Sequence, residues 1–134
     1  MTWPTLVQGA TNQASDNDPS YLNNTGNNLA NVTLKAIDLM GNLDETTFIM
    51  SQDFKVSASS GQECSGTQLV NNTQTLIKSP ADPVTLNRGN LSAGSFAGQQ
   101  RLYYCLTTVN DTLTKQTYST TKGGAWTITV VQTP

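Results

Sequence analysis

Few residues in this chain could carry chemistry. It has two cysteines, Cys64 and Cys105, and no histidine. Imidazole is the commonest general base near neutral pH and the commonest transition-metal ligand, so its absence excludes catalytic triads and His-bearing zinc sites. Two thiols are too few for a four-cysteine zinc or iron–sulfur site, and they suit a single disulfide. A Cys64–Cys105 bridge joins residues 41 apart in numbering and would contribute about 4 kcal/mol through loop-closure entropy in an oxidising compartment. The alternative is a pair of buried free thiols in a reducing one.

The carboxylates offer two further possibilities. Asp16-Asn17-Asp18 sets hard oxygen ligands in one turn, but calcium needs 6–8 oxygens, so Asp38, Asp44 or Glu45 would have to converge from elsewhere. Asp and Asn before proline are ordinary turn formers, and no metal site is expected. Asp44-Glu45 could pair as acid and base for glycoside hydrolysis only if the two flanked a cleft about 5–10 Å wide, which adjacent turn residues rarely do. Neither catalytic residues nor a cofactor are therefore expected. Among the aromatics, Trp126 and one of Tyr103 and Tyr104 are assigned to the core, which leaves Trp3 and Tyr118 as candidate exposed rings for stacking on sugars. Five Asn-x-Ser/Thr sequons occur. Asn23, Asn71, Asn90 and Asn110 are the candidate glycan acceptors, whereas Asn31 falls within an expected strand.

The elements that must position these groups read as strands. Short runs of Thr, Val, Ile, Tyr and Trp alternate with Gly, Asn, Asp, Ser and Pro clusters, with no sustained helical spacing of apolar residues. The pattern predicts strands at residues 3–9, 29–39, 47–50, 54–57, 67–78, 84–86, 100–109, 115–119 and 125–132. Within the last, Trp126, Ile128 and Val130 share one face, as in a strand with one side in the core. Leu102, Tyr104 and Leu106 alternate with Tyr103, Cys105 and Thr107, so both faces are bulky and this strand should be central. Residues 11–28 read as a long loop, which would make residues 1–20 a detachable N-terminal strand plus loop.

Composition narrows the partners. The 134 residues fit one domain. Only 12% are charged, whereas Thr, Asn, Ser and Gln fill 55 positions, so the surface is polar without being ionic. A net charge of −2 with seven scattered cations argues against nucleic acid and anionic membrane surfaces. No apolar run approaches the roughly 20 residues of a membrane span, so no membrane insertion is expected. The start, Met1-Thr2-Trp3-Pro4, lacks the pattern of a signal peptide, and a mature or excised piece is expected.

Two stretches carry a family resemblance. The run from Leu22 to Leu34, LNNTGNNLANVTL, and the run from Leu91 to Tyr104, LSAGSFAGQQRLYY, resemble immunoglobulin-like β-sandwich repeats of archaeal and bacterial cell-surface proteins. The resemblance implies an extracellular structural module, in tandem repeats or filaments, without catalytic residues. Tyr103-x-Cys105 is also similar in spacing to a tyrosine corner, although no Trp lies between Cys64 and Cys105 to pack on the bridge. The combined expectation is an all-β, immunoglobulin-like antiparallel sandwich of about seven to nine strands in a single domain, residues 1–134. It would act as a structural or adhesive module at the cell surface, with neighbouring copies or tandem domains as partners and Trp3–Gly9 as a candidate donated strand. The alternative is a carbohydrate-binding module using Trp3 or Tyr118.

Overall fold

The computed structural model describes residues 1–79, 82–88 and 98–133. Antiparallel strands dominate, in two principal sheets. One is built on the ten-residue strand β10 (Gln99–Thr108), which pairs on one side with β1 (Thr11–Ala14) and β2 (Ser20–Asn23) and on the other with β6 (Phe54–Ser57), itself paired with β7 (Thr67–Gln68). The other is built on β3 (Ala30–Lys35), flanked on one side by β12 (Thr127–Gln132) and on the other by β8 (Gln74–Leu76) and β9 (Thr85–Leu86). A small third sheet joins β11 (Tyr118–Ser119), β4 (Leu39–Gly41) and β5 (Phe48–Ile49). A single helical turn, α1 (Thr120–Gly123), starts on the Ser119 side chain, which accepts from the Thr121 N–H.

The period-2 patterning explains the layering. In β3, Val32 and Leu34 are fully buried while Asn31, Thr33 and Lys35 are half-exposed. In β10, Leu102, Tyr104 and Leu106 turn the same way as the buried Phe54 and Val56 of β6. These faces meet in one cluster that also takes in Leu69, Ile77, Val84 and Leu86, giving a sandwich-like all-β core. β10 is central, as its two bulky faces require. Phe54 lies between the two tryptophans, 5.2 Å from the Trp3 ring and 5.0 Å from that of Trp126.

Several expectations need correction. Residues 3–9 form no strand: Trp3, Leu6 and Ala10 pack on the core from an irregular segment, and Gln8 donates to the carbonyls of Asp111 and Leu113. The expected loop at 11–28 instead supplies β1 and β2, because their Thr, Asn, Gln and Ser side chains need only an edge position with little apolar burial. Residues 29–39 divide after Lys35, and residues 67–78 divide at Leu69–Thr73, where the chain crosses between sheets and Asn72 adopts φ +55°. The 115–119 strand shrinks to two residues, since the Gln116 side chain is committed to pinning the neighbouring turn. Val130 faces the core side opposite Val32, yet is 45% exposed, because its strand lies at the margin of the sheet.

Both edges opposite the central pairings are interrupted. β1 and β2 form one line along β10, broken at Ser15–Pro19, where the chain bulges outward. Asp18 fills the gap: its Oδ2 accepts the Tyr104 N–H at 3.0 Å, its Oδ1 accepts the Ser15 hydroxyl, and the Ser15 N–H donates to the Tyr104 carbonyl. A carboxylate thus replaces a missing strand carbonyl. β8 and β9 likewise form one line along β3. Ile77 donates to the Val32 carbonyl and Val32 donates to that of Val84, and next to them Lys78 and Pro83 form an isolated bridge, so the line is two short strands rather than one continuous one.

Candidate functional site

The disulfide is formed, with Cys64 and Cys105 Cα atoms 5.0 Å apart. Cys105 projects from β10 on the face opposite Tyr104, and it is completely buried because the single turn Glu63–Ser65 covers it. The bridge therefore ties a surface loop to the outer face of a sheet. Gly66 permits this approach: a Cβ there would lie 2.2 Å from the Val56 carbonyl oxygen.

Neither candidate sugar-stacking ring is free. Trp3 is half-buried against Phe54 and donates Nε1–H to the Gln13 carbonyl at 2.9 Å. Tyr118 is half-buried on the core, and its hydroxyl bonds the Thr114 carbonyl at 3.0 Å. Burial raises its phenol, but hydrogen bonding with Thr114, Thr47 and Gln116 outweighs that and leaves it below the usual range. Trp126 is anchored similarly, through Nε1–H to the Ile37 carbonyl at 2.7 Å. The expectation that Trp3 and Tyr118 are exposed is thus corrected, since their polar ends find backbone partners that hold the rings inward. Among the described residues the exposed aromatics that the sequence reading missed are Tyr21, 54% exposed beneath the Arg101 guanidinium, and Phe48.

The carboxylates do not converge. Asp38 accepts the Ser51 N–H, Asp18 bridges Ser15 and Tyr104, and Glu45 pairs with Lys122 on the surface. Hydrogen bonds from the Thr46 hydroxyl and N–H hold the Asp44 carboxyl below the usual range. Burial, with a smaller contribution from nearby Asp38, raises Asp53. Among the described residues no group of three or more Cys, Asp and Glu could hold a metal ion. Two open hollows lie among the described residues. One of about 240 Å³ lies between Asp38, Met50, Val70 and Asn71, and one of about 250 Å³ is walled by Ser57, Ser59, Gln62, Ser65, Gly66 and Ser79. Both fall below the roughly 300 Å³ of ordinary ligand pockets. None of the described residues that wall the second is a base that could activate one of its serines.

Of the sequon residues, Asn23, Asn71 and Asn110 are exposed, and Asn90 lies outside the described residues. Asn110 accepts both the N–H and the hydroxyl of Thr112 on Oδ1, each at 2.9 Å. Asn71 accepts the Asp38 N–H and Asn23 accepts from Gln99. Asn31 is half-buried in β3.

The surface feature that neither motif nor composition singled out is the outer edge of β12. Its register with β3 runs from Thr127 opposite Lys35 to Gln132 opposite Ala30. Thr133 donates to the Leu29 carbonyl, and Val32 spends its N–H and C=O on the opposite neighbour. Together these fix the alternation: Thr127, Thr129 and Val131 bond to β3, while the N–H and C=O of Ile128, Val130 and Gln132 point away from the sheet. Among the described residues nothing pairs with this edge. Its sequence, Thr-Ile-Thr-Val-Val-Gln, has no charge, proline or glycine, and Val130 and Val131 are 45% and 46% exposed. No described helix is long and apolar enough to cross a membrane. Comparison with family models, curated proteins and solved structures finds no match to the chain.

Proposed function

We propose that this chain is a non-enzymatic structural or adhesive module of an extracellular surface assembly, an immunoglobulin-like sandwich that meets its neighbours edge-on through β12. The observation that carries this reading is the contrast between the edges. A bulge breaks the β1/β2 line, the β8/β9 line is divided into strands of three and two residues, and β7 is two residues long, whereas β12 runs six residues unbroken. Proteins blunt exposed edges with charge, proline or bulges because an open edge recruits another strand. Leaving one edge neutral and straight therefore favours strand addition, in which backbone hydrogen bonds supply the contact. The disulfide supports an oxidising, extracellular setting, and the Thr- and Asn-rich surface supports contacts that do not depend on charge. Among the described residues, exposed Asn23, Asn71 and Asn110 are acceptor sites open to a glycosylating host.

The test is native material. Non-reducing mass spectrometry of the chain recovered from cell surfaces should show Cys64 bridged to Cys105. Hydrogen exchange should show the amides of Ile128, Val130 and Gln132 protected there and open in dilute monomer. Free thiols, or outward amides that exchange freely in the surface material, would overturn the reading. A tryptophan fluorescence change on adding polysaccharide would instead indicate carbohydrate binding.

A further inference from the structure

Resting on the edge-on reading, we infer that the strand added to β12 is β12 of a second copy, antiparallel, about a two-fold axis through Val130. Three observations favour this occupant. The obvious internal donor is occupied: residues 1–10 are tied down by the Trp3 ring on Phe54, by Trp3 Nε1–H to Gln13, and by Gln8 to the Asp111 and Leu113 carbonyls. The other edges are too broken to present three successive outward residues. Lastly, β12 can face itself without penalty, because no residue in Thr127–Gln132 is charged and like charges directly opposite are what make self-pairing unfavourable.

The register follows from which groups point outward. In an antiparallel pair, outward residues must oppose outward residues and exchange both bonds. Within Thr127–Gln132 only one alignment uses all three outward residues of each copy: Val130 opposite Val130, with Ile128 opposite Gln132 on either side. It closes six backbone hydrogen bonds. Val130 lies on the core-facing side of its sheet, opposite Val32, and is 45% exposed. A two-fold axis perpendicular to the sheet sets the two Val130 side chains against each other on that same side, so the pairing covers an apolar residue that the single sandwich leaves bare. Each copy contributes one edge strand, well short of the roughly 800 Å² per partner of a standard interface, so the association is weak and suited to a crowded surface.

The centre of symmetry makes this testable. Sedimentation velocity over a concentration series on the full chain should show reversible dimerisation. Val130→Lys alone and Val130→Glu alone each set like charges together and should weaken dimerisation at least about fivefold, whereas an equimolar mixture of the two should restore it. Only an arrangement in which residue 130 faces itself gives that rescue. Val130→Pro, which removes the central outward N–H and no bond to β3, should also abolish dimerisation and keeps the test decisive if a charge variant fails to fold. A wild-type chain that stays monomeric to millimolar concentration, or a mixture no better than its components, overturns the second-copy assignment. If the outward amides are still protected in surface material, the edge-on reading stands with a different strand donor. If they are open as well, both fall.

Discussion

Proline placed at adjacent positions of β12 should have opposite consequences, because backbone direction alternates along a strand. The Thr129 N–H points toward Thr33 of β3, while the Val130 N–H points out of the sheet. Thr129→Pro deletes a ladder donor, leaves the Thr33 carbonyl short of a partner and pushes the ring toward β3. The lost bond is worth about 1 kcal/mol and the stranded carbonyl about 1–3 kcal/mol, for a total on the order of 3 kcal/mol. Val130→Pro deletes no intramolecular bond. It forfeits part of a half-exposed valine's burial, about 1 kcal/mol, offset in part by the lower entropy of the unfolded chain. The two variants should therefore differ by about 2 kcal/mol, or about 6–10 °C in Tm for a domain of this size. Urea unfolding followed by the fluorescence of Trp3 and Trp126, which flank Phe54, measures the difference. Equal losses, or a larger loss for Val130→Pro, would show that the outward set is not Ile128, Val130 and Gln132, and the edge assignment would fail with it.

Three further outcomes follow from the geometry. Cys64→Ala with Cys105→Ala should lower stability by about 4 kcal/mol, read as a fall in the urea midpoint, and an unchanged midpoint would mean the loop is held by packing alone. Asp18→Ala strands the Tyr104 N–H and the Ser15 hydroxyl and should cost about 2–3 kcal/mol in the same assay, whereas Asp18→Asn, which keeps an acceptor, should cost less. Asp53 is raised chiefly by burial, so between its unfolded and folded values the native state binds more protons and stability falls as pH rises through that window. Asp53→Asn should flatten that fall and leave the protein no less stable at neutral pH, and an unchanged pH profile of the urea midpoint would refute the assignment.

The sequence makes the interior legible and the edges much less so. In β10 and β6 the alternation of Leu102, Tyr104 and Leu106, and of Phe54 and Val56, is strong because a buried face must be apolar at every second residue, and those strands fall within a residue of the expected positions. The bridge is legible because two cysteines leave one pairing. β1 and β2 are not legible: Thr-Asn-Gln-Ala and Ser-Tyr-Leu-Asn pack little apolar surface, and their strand conformation is imposed by the open side of β10. Trp3 misled for the converse reason. A tryptophan at the start of a polar segment suggests a strand or an exposed ring, yet a single large side chain can anchor irregular backbone when its N–H finds a carbonyl.

The candidate site was hidden for a deeper reason. Chemical sites announce themselves through residue type, and the composition directs attention away from histidines, carboxylate clusters and basic patches. An association edge is instead defined by backbone groups that every residue shares, so only pairing partners and their parity reveal it. In β12 the residue types do carry a trace of it in retrospect. Interior strands can be uniformly neutral because they are covered, but an edge strand with successive valines 45% and 46% exposed, one on each face, would ordinarily carry a lysine or proline as protection. That protection is absent from the strand whose amides are open and present, as bulges and an Asp18-filled gap, on the line along β10. The asymmetry places the expected contact at β12 and predicts that adding one charge at position 130 changes how the molecule associates while leaving how it folds almost untouched.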